Sequence, residues 1–187
     1  NIYYDGYWQN PLYFPKRETL EKKLIFRLSD QLKKEYFKDL SYVRGRNTIA
    51  INIRGGDYVK NESVYLKLGS VIKYDYYCNA ISHISNNRNI DDIILFTNDV
   101  EYSKDILGDI FDRVGKVYSI SNGDYFLEML LMSKFKNIII ANGTFSWWSA
   151  YLGKDQDKII CCPYKWSNSS FGTIEDIITD DFTPIKY

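Results

Sequence analysis

The sequence predicts a doubly wound α/β domain, a parallel sheet with helices on both faces, and three observations carry that expectation. Short β-rich runs alternate with helical patterns along most of the chain. The runs "TIAINI", "DIILFT", "NIIIA" and "KIICC" are apolar at nearly every position, as strands covered on both faces are. The polar or glycine-bearing segments "NIRGGDY", "FTND" and "ANGTFS" sit at the ends of those runs, where sheets of this kind bind ligands.

Taken in order, residues 1–46 read as a connecting segment and one long amphipathic helix. "TLEKKLIFRLSDQLKKEYFKDL" places Leu20, Leu24, Leu28, Leu32, Tyr36 and Leu40 at fourfold spacing, Ile25 and Phe37 widen the stripe, and "VRGRN" ends it. The first strand is "TIAINI" (48–53). After it come a helix near 75–85, the strand "DIILFTND" (92–99), a helix near 101–107 and the strand "KVYSI" (116–120). The helix "DYFLEMLLMSKF" (124–135), the run "NIIIA" (137–141), a helix from Phe145 to Leu152 and the strand "KIICC" (158–162) complete the pattern. With no internal repeat or low-complexity tract, residues 1–187 are expected to form a single domain.

Composition narrows the function classes. The 24 basic and 24 acidic residues cancel, so no global field gathers nucleic acid or coats an anionic membrane, and no nucleic-acid partner is expected. The exception is Lys16 to Arg46, with ten basic and five acidic residues, which reads as the solvated face of the helix. Aromatic residues make up 17% and suit both a core and stacking on sugars or bases. Cys78 and the adjacent Cys161 and Cys162 do not form a secreted disulfide pattern, which predicts a reducing, cytoplasmic setting. No apolar stretch approaches the length of a membrane span, and the opening residues show no signal-peptide pattern. "NGT" (142–144) and "NSS" (168–170) match the glycosylation acceptor pattern without any sign of secretion.

Three segments carry candidate chemistry. Arg54 offers a fork of donors matched to a phosphate, and Gly55 and Gly56 let backbone approach a ligand, so together they suit a diphosphate; a simple turn with Arg54 paired to Asp57 is the other reading. The second segment, "IIIANGTFSWWSAYLG", runs from a strand through "NGT" into a helix. Its first N–H groups and the hydroxyls of Thr144 and Ser146 form an anion site, or Thr144 only caps the helix while Trp147, Trp148 and Tyr151 pack. In the third, Glu128 is the one acidic residue within the apolar stretch 126–132. It faces a paired donor such as a guanine edge, forms a structural salt bridge, or is exposed. His83 has no acidic or cysteine neighbour, and "DQD" (155–157) reads as a solvated turn, so no metal site is expected.

Taken together, "GYWQNPLYF" (6–14), "INIRGGDYV" (51–59), "LFTND" (95–99), "D..LEMLLMSKFKNIIIANGTFSWWSAYLG" (124–153) and "P..W" (163–166) resemble the α-1,2-fucosyltransferase family, glycosyltransferase family 11, in order and approximate spacing. The resemblance covers almost the whole chain. It implies metal-independent, inverting transfer of L-fucose from GDP-β-L-fucose to a sugar hydroxyl, on a GT-B-like fold whose Rossmann-like donor half this chain matches. An α-1,2 linkage to galactose is implied; transfer of another sugar from a nucleotide donor and a non-catalytic GDP- or glycan-binding module are the alternative readings. A GDP-sugar donor and a carbohydrate acceptor are the implied partners, with peripheral association at membrane glycan-assembly machinery and no cofactor.

Carried onto this sequence, the resemblance gives Arg54 the donor diphosphate, with Asp57 and Tyr58 completing the same segment. Thr144, Phe145 and Ser146 receive the diphosphate at the helix start, and Glu128 meets guanine. Asn52, Gly55, Gly56, Asn98, Asp99, Asn142 and Gly143 complete the expected donor-binding set, Arg54 and Asp57 are the expected catalytic pair, and Tyr58 and Trp147 fall on the acceptor side. The chain departs from the family pattern at Asn52, where histidine is usual, at Gly55, where a second arginine is usual, and at Gly143, where serine is usual. The family's Gly-Gly-x-Gly-Asn-Gln segment has no counterpart here.

Overall fold

A computed structural model of the protein describes residues 5–26, 29–43, 46–119, 124–153, 157–169 and 174–187. Its centre is a six-stranded, all-parallel sheet of order β3-β2-β1-β4-β5-β6, formed by Thr48–Ile53 (β1), Asp92–Thr97 (β2), Val114–Ser119 (β3), Asn137–Ile139 (β4), Ile159–Pro163 (β5) and Phe182–Ile185 (β6). The expected doubly wound α/β architecture is the one observed. β1 is buried at all six positions, which is why its apolar residues do not simply alternate; Thr48 and Asn52 are its buried polar members.

Successive strand residues feed opposite faces. Ile49, Ile51, Ile53 and Cys161 join Tyr76, Tyr77, Ala80 and Ile84 of Tyr74–Ser85 (α5) in one core, into which Tyr102 and Leu107 of Val100–Leu107 (α6) also pack. Ala50, Ile94, Phe96 and Cys162 join Leu131 and Met132 of Tyr125–Met132 (α7) and Trp147, Ala150 and Tyr151 of Thr144–Leu152 (α8) in the other. The adjacent cysteines are thus buried on opposite sides of β5, and burial pushes both thiols up to about 12.

The long helix expected over 19–40 is instead two, Arg17–Phe26 (α1) and Asp30–Val43 (α2). Ser29 starts the second, its Oγ accepting the Leu32 N–H at 3.2 Å, a local cap that competes with a continuous helix. α1 packs on α8 and α2 on α7, where Tyr36 and Leu40 meet Leu127, Leu130 and Leu152. Leu28, residues 44–45 of "VRGRN", Ile120, Asp155, Gln156 and Ser170 lie outside the described residues, as do the side chains of Leu24, Ile25 and Phe37. Other elements end within a few residues of their expected limits. The sequence reading has no counterpart for the short helices Asp57–Lys60 (α3) and Glu62–Val64 (α4), the π-helical turn Tyr65–Gly69, or β6. Among the described residues, no helix is long and apolar enough to cross a membrane.

Candidate functional site

The chain runs outward from β1 through β2 to β3, then returns to place β4 on the other side of β1. That reversal separates the loops leaving β1 and β4, the point at which an open α/β sheet forms its ligand crevice. A cavity of about 580 Å³ lies there. Asn52, Arg54, Asp57 and Tyr58 reach it from β1 and α3, Asn98 from the end of β2, and Asn142, Gly143, Thr144 and Phe145 from the β4–α8 turn.

On the β1 side, Arg54 extends from the strand end and its Nη2 donates to Asp57 Oδ1 at 2.6 Å, with the guanidinium carbon 5.2 Å from the centre of the Tyr58 ring. The pairing leaves the remaining guanidinium donors for a ligand. The two glycines have a different use from the one expected. Gly55 N–H donates to Asn98 Oδ1 at 2.8 Å, Asn98 Nδ2 donates back to Gly55 O at 3.3 Å, and Gly56 N–H donates to Asp99 Oδ2 at 3.3 Å. Asp99 also accepts the Tyr102 N–H at 3.1 Å and so caps α6. The turn is therefore fastened to the end of β2. Gly56 has φ 61, a backbone conformation that favours glycine, and a Cβ there would press on Asn98 Nδ2 at 2.7 Å.

On the β4 side, Asn142 is buried and its Nδ2 donates to Leu68 O and Trp166 O, both at 2.9 Å. Its backbone carbonyl accepts the Tyr58 hydroxyl at 3.3 Å, which ties α3 to the start of α8. Burial raises the Tyr58 phenol above its ordinary value; Arg54 opposes this, and Asp57 and Tyr7 add to it, so the group stays a neutral donor. α8 begins after Gly143 with no side-chain cap, so Thr144 does not cap it, and its first residues border the cavity. Ser146 is fully buried, and its Oγ donates to Ala141 O at 2.8 Å and Gly143 O at 3.2 Å, so that hydroxyl shapes the turn.

Several expected residues stand off the cavity wall. Trp147, expected on the acceptor side, is 0% exposed, donates from Nε1 to Ile177 O at 2.6 Å and stacks on Tyr151 at 4.9 Å; burial in the core removes it from contact with any acceptor. Glu128 is buried on α7 and does not line the cavity. Gly55, Gly56 and Asp99 support the wall from behind through the hydrogen bonds above. Asn52 does line it, with Nδ2 held by Phe96 O at 3.0 Å. Asp57 is the one carboxylate among the lining residues. Among the described residues no group of three or more histidines, cysteines and carboxylates could hold a metal ion.

The structure adds wall residues that the sequence reading gave no role: Tyr7, Gln9, Leu68 and Trp166. Tyr7, Gln9 and Trp166 lie in "GYWQNPLYF" and "P..W", segments far along the chain from the strand ends, and only the tertiary fold brings them to the same crevice.

Sequence comparison is consistent with this geometry. The model of "Glycosyl transferase family 11" matches residues 1–186. The chain is 30% identical over 166 residues to an alpha-1,2-colitosyltransferase of Escherichia coli, covering 89% of this chain and 56% of that protein. It is 38% identical over 123 residues to the O-antigen biosynthesis glycosyltransferase WbnK of Escherichia coli, covering 64% of this chain and 39% of that protein. The matched part thus spans about half or less of each relative's length.

Proposed function

The chain belongs to glycosyl transferase family 11, and on that premise we propose that it binds a GDP-sugar and, in its whole protein, transfers L-fucose from GDP-β-L-fucose to a galactose hydroxyl in α-1,2 linkage with inversion. The observation that carries this reading is the convergence of Arg54, Tyr58 and the uncapped start of α8 on one cavity at the sheet's switch point. A guanidinium and helix-start N–H groups are the donors a diphosphate needs.

In the proposed reaction the acceptor oxygen forms a bond to the sugar C1 as the C1–O bond to the β-phosphate breaks, and the electron pair of that bond leaves on GDP. Negative charge grows on the diphosphate, where Arg54 and the α8 amides stabilise it without a metal. Asp57 holds the guanidinium in place, and as the carboxylate lining the cavity it is the candidate to take the hydroxyl proton. The name of the colitosyltransferase relative favours colitose as a second reading of the sugar, with the same linkage.

Arg54→Ala is expected to lower the transfer rate by about 10²–10³-fold, the size of losing one oxyanion-type donor. The melting temperature without ligand should hardly change, and wild-type turnover should persist in chelator. Near-normal turnover by the variant would remove Arg54 from the mechanism. Failure of the wild-type protein to bind GDP would overturn the reading as a whole.

A further inference from the structure

The segment before the first helix borders the cavity in an unusual backbone conformation. Trp8 has φ 53 and is the one non-glycine residue with positive φ among the described residues. For a bulky aromatic residue this conformation is an outlier that persists only where the surroundings enforce it, and such outliers cluster at ligand sites. The residues that follow Trp8 anchor the segment to the rest of the fold. The Trp8 ring meets Tyr13 edge-on at 5.5 Å, Phe14 packs on Trp148 at 4.7 Å, and Asn10 Nδ2 donates to Asp176 O at 3.3 Å.

The kink leaves the residues on either side of Trp8, Tyr7 and Gln9, lining the same cavity as Arg54 and Thr144. Tyr7 is 80% exposed, although large aromatic rings are usually covered. Gln9 is partly covered, and its Nε2 is shielded with no hydrogen-bond partner. Rotation of that terminal amide about its broad torsion presents donor or acceptor to the cavity. Neither residue carries charge, so they are poorly suited to a diphosphate. An open aromatic face beside an unspent amide suits a pyranose ring, whose C–H face stacks while a hydroxyl bonds.

We propose that Tyr7 and Gln9 form the sugar-contacting wall of the cavity, opposite in chemistry to the anion-binding side at Arg54 and α8. This rests on the glycosyl-transfer reading and adds residues for the sugar rather than the nucleotide. The ring could be the donor's sugar or the acceptor's, and the two are separated by probe.

The test is calorimetric binding of GDP, GDP-β-L-fucose and, in the presence of GDP, lactose to the purified protein and to its Tyr7→Ala, Tyr7→Phe and Gln9→Leu variants. Tyr7→Ala and Gln9→Leu should each weaken a sugar-bearing probe about tenfold, the scale of one lost contact, while leaving the GDP Kd unchanged. Tyr7→Phe, which keeps the ring, should restore binding. Loss confined to GDP-β-L-fucose assigns the wall to the donor sugar, and loss confined to lactose assigns it to the acceptor. Unchanged affinity for both sugar probes, with wild-type GDP binding intact, overturns this inference and leaves the functional reading standing. An equal loss for GDP also overturns it, because the wall would then grip the nucleotide. A wild-type protein that binds no GDP ends both.

Discussion

Gly55 and Gly143 both depart from the family pattern, yet the space around them differs. A Cβ at Gly55 would lie 2.6 Å from Asp99 Cβ and 2.9 Å from Tyr102 Cδ1, so the site of the family's second arginine is filled by the cap of α6. A Cβ at Gly143 would meet only Tyr58 Oη, at 4.0 Å, and Gly143 has an ordinary extended φ of −137. Gly55→Ala is therefore expected to destabilise the fold by about 1–3 kcal/mol through overpacking, whereas Gly143→Ser should stay within about 0.5 kcal/mol of wild type. Urea midpoints of the two variants check this, and a Gly143→Ser variant as unstable as Gly55→Ala would contradict the geometry. The polar groups of "FTND" divide at this scale: Asn98 lines the cavity, while Asp99 stands behind its wall. Asn98 and Asp99 stand at a strand end, as ligand-binding residues do, but their hydrogen bonds hold the neighbouring turn and cap a helix.

At the scale of elements, α8 does two jobs at opposite ends of its length. Its first turn borders the cavity, while Trp147, Ala150 and Tyr151 fill the core against β4 and β5. Trp147 is the largest fully buried side chain and also donates to Ile177 O. Trp147→Ala is expected to cost about 3–5 kcal/mol, the range for removing a large buried aromatic ring. Denaturant unfolding measures that cost, and a loss below about 1 kcal/mol would mean that the ring is not a core element. Since α8 places Thr144, part of any loss of GDP binding in this variant would follow from a shifted helix. The α1–α2 break belongs to this scale too: the apolar repeat runs across Ser29, but its hydroxyl accepts the Leu32 N–H at the start of a new helix.

Across the whole molecule, the opening segment and the last third of the chain are fastened together beside the cavity. Arg17 forms a two-armed pair with Asp181 at 2.5 and 2.8 Å and lies over the Tyr151 ring at 4.4 Å, while Asn10 reaches Asp176. Partial burial pushes the Asp181 carboxyl up, but hydrogen bonds from Arg17 and Thr179 and the Arg17 charge outweigh it and hold the group below its ordinary value. A carboxylate depressed in the folded state contributes stability that is complete above its unfolded pKa of about 3.9 and is lost as pH falls through the folded value. Wild type should therefore exceed Asp181→Asn in melting temperature by a constant margin from about pH 7 to pH 5, with the margin shrinking below about pH 4. A margin independent of pH would show that the pair does not act through its charge.

The sequence by itself determined the doubly wound sheet, because its central strands are buried on both faces and must be apolar at nearly every position. It also pointed to where the crevice lies, since Arg54 directly follows β1, and Asn142 stands between the end of β4 and the start of α8, whose first residue is Thr144. β6 was not legible in this way: it is four residues long, carries Pro184 and lies at the sheet edge, so its place depends on pairing with β5 rather than on a local pattern. Only the tertiary structure decided which polar groups face the cavity and which hold its wall. Gly55 and Asn98 are 43 residues apart in sequence, and Tyr58 and Asn142 are 84 apart, yet each pair shares a hydrogen bond. A donor satisfied by a distant loop and one left for a ligand can have the same local sequence, because through-space packing allocates the acceptors.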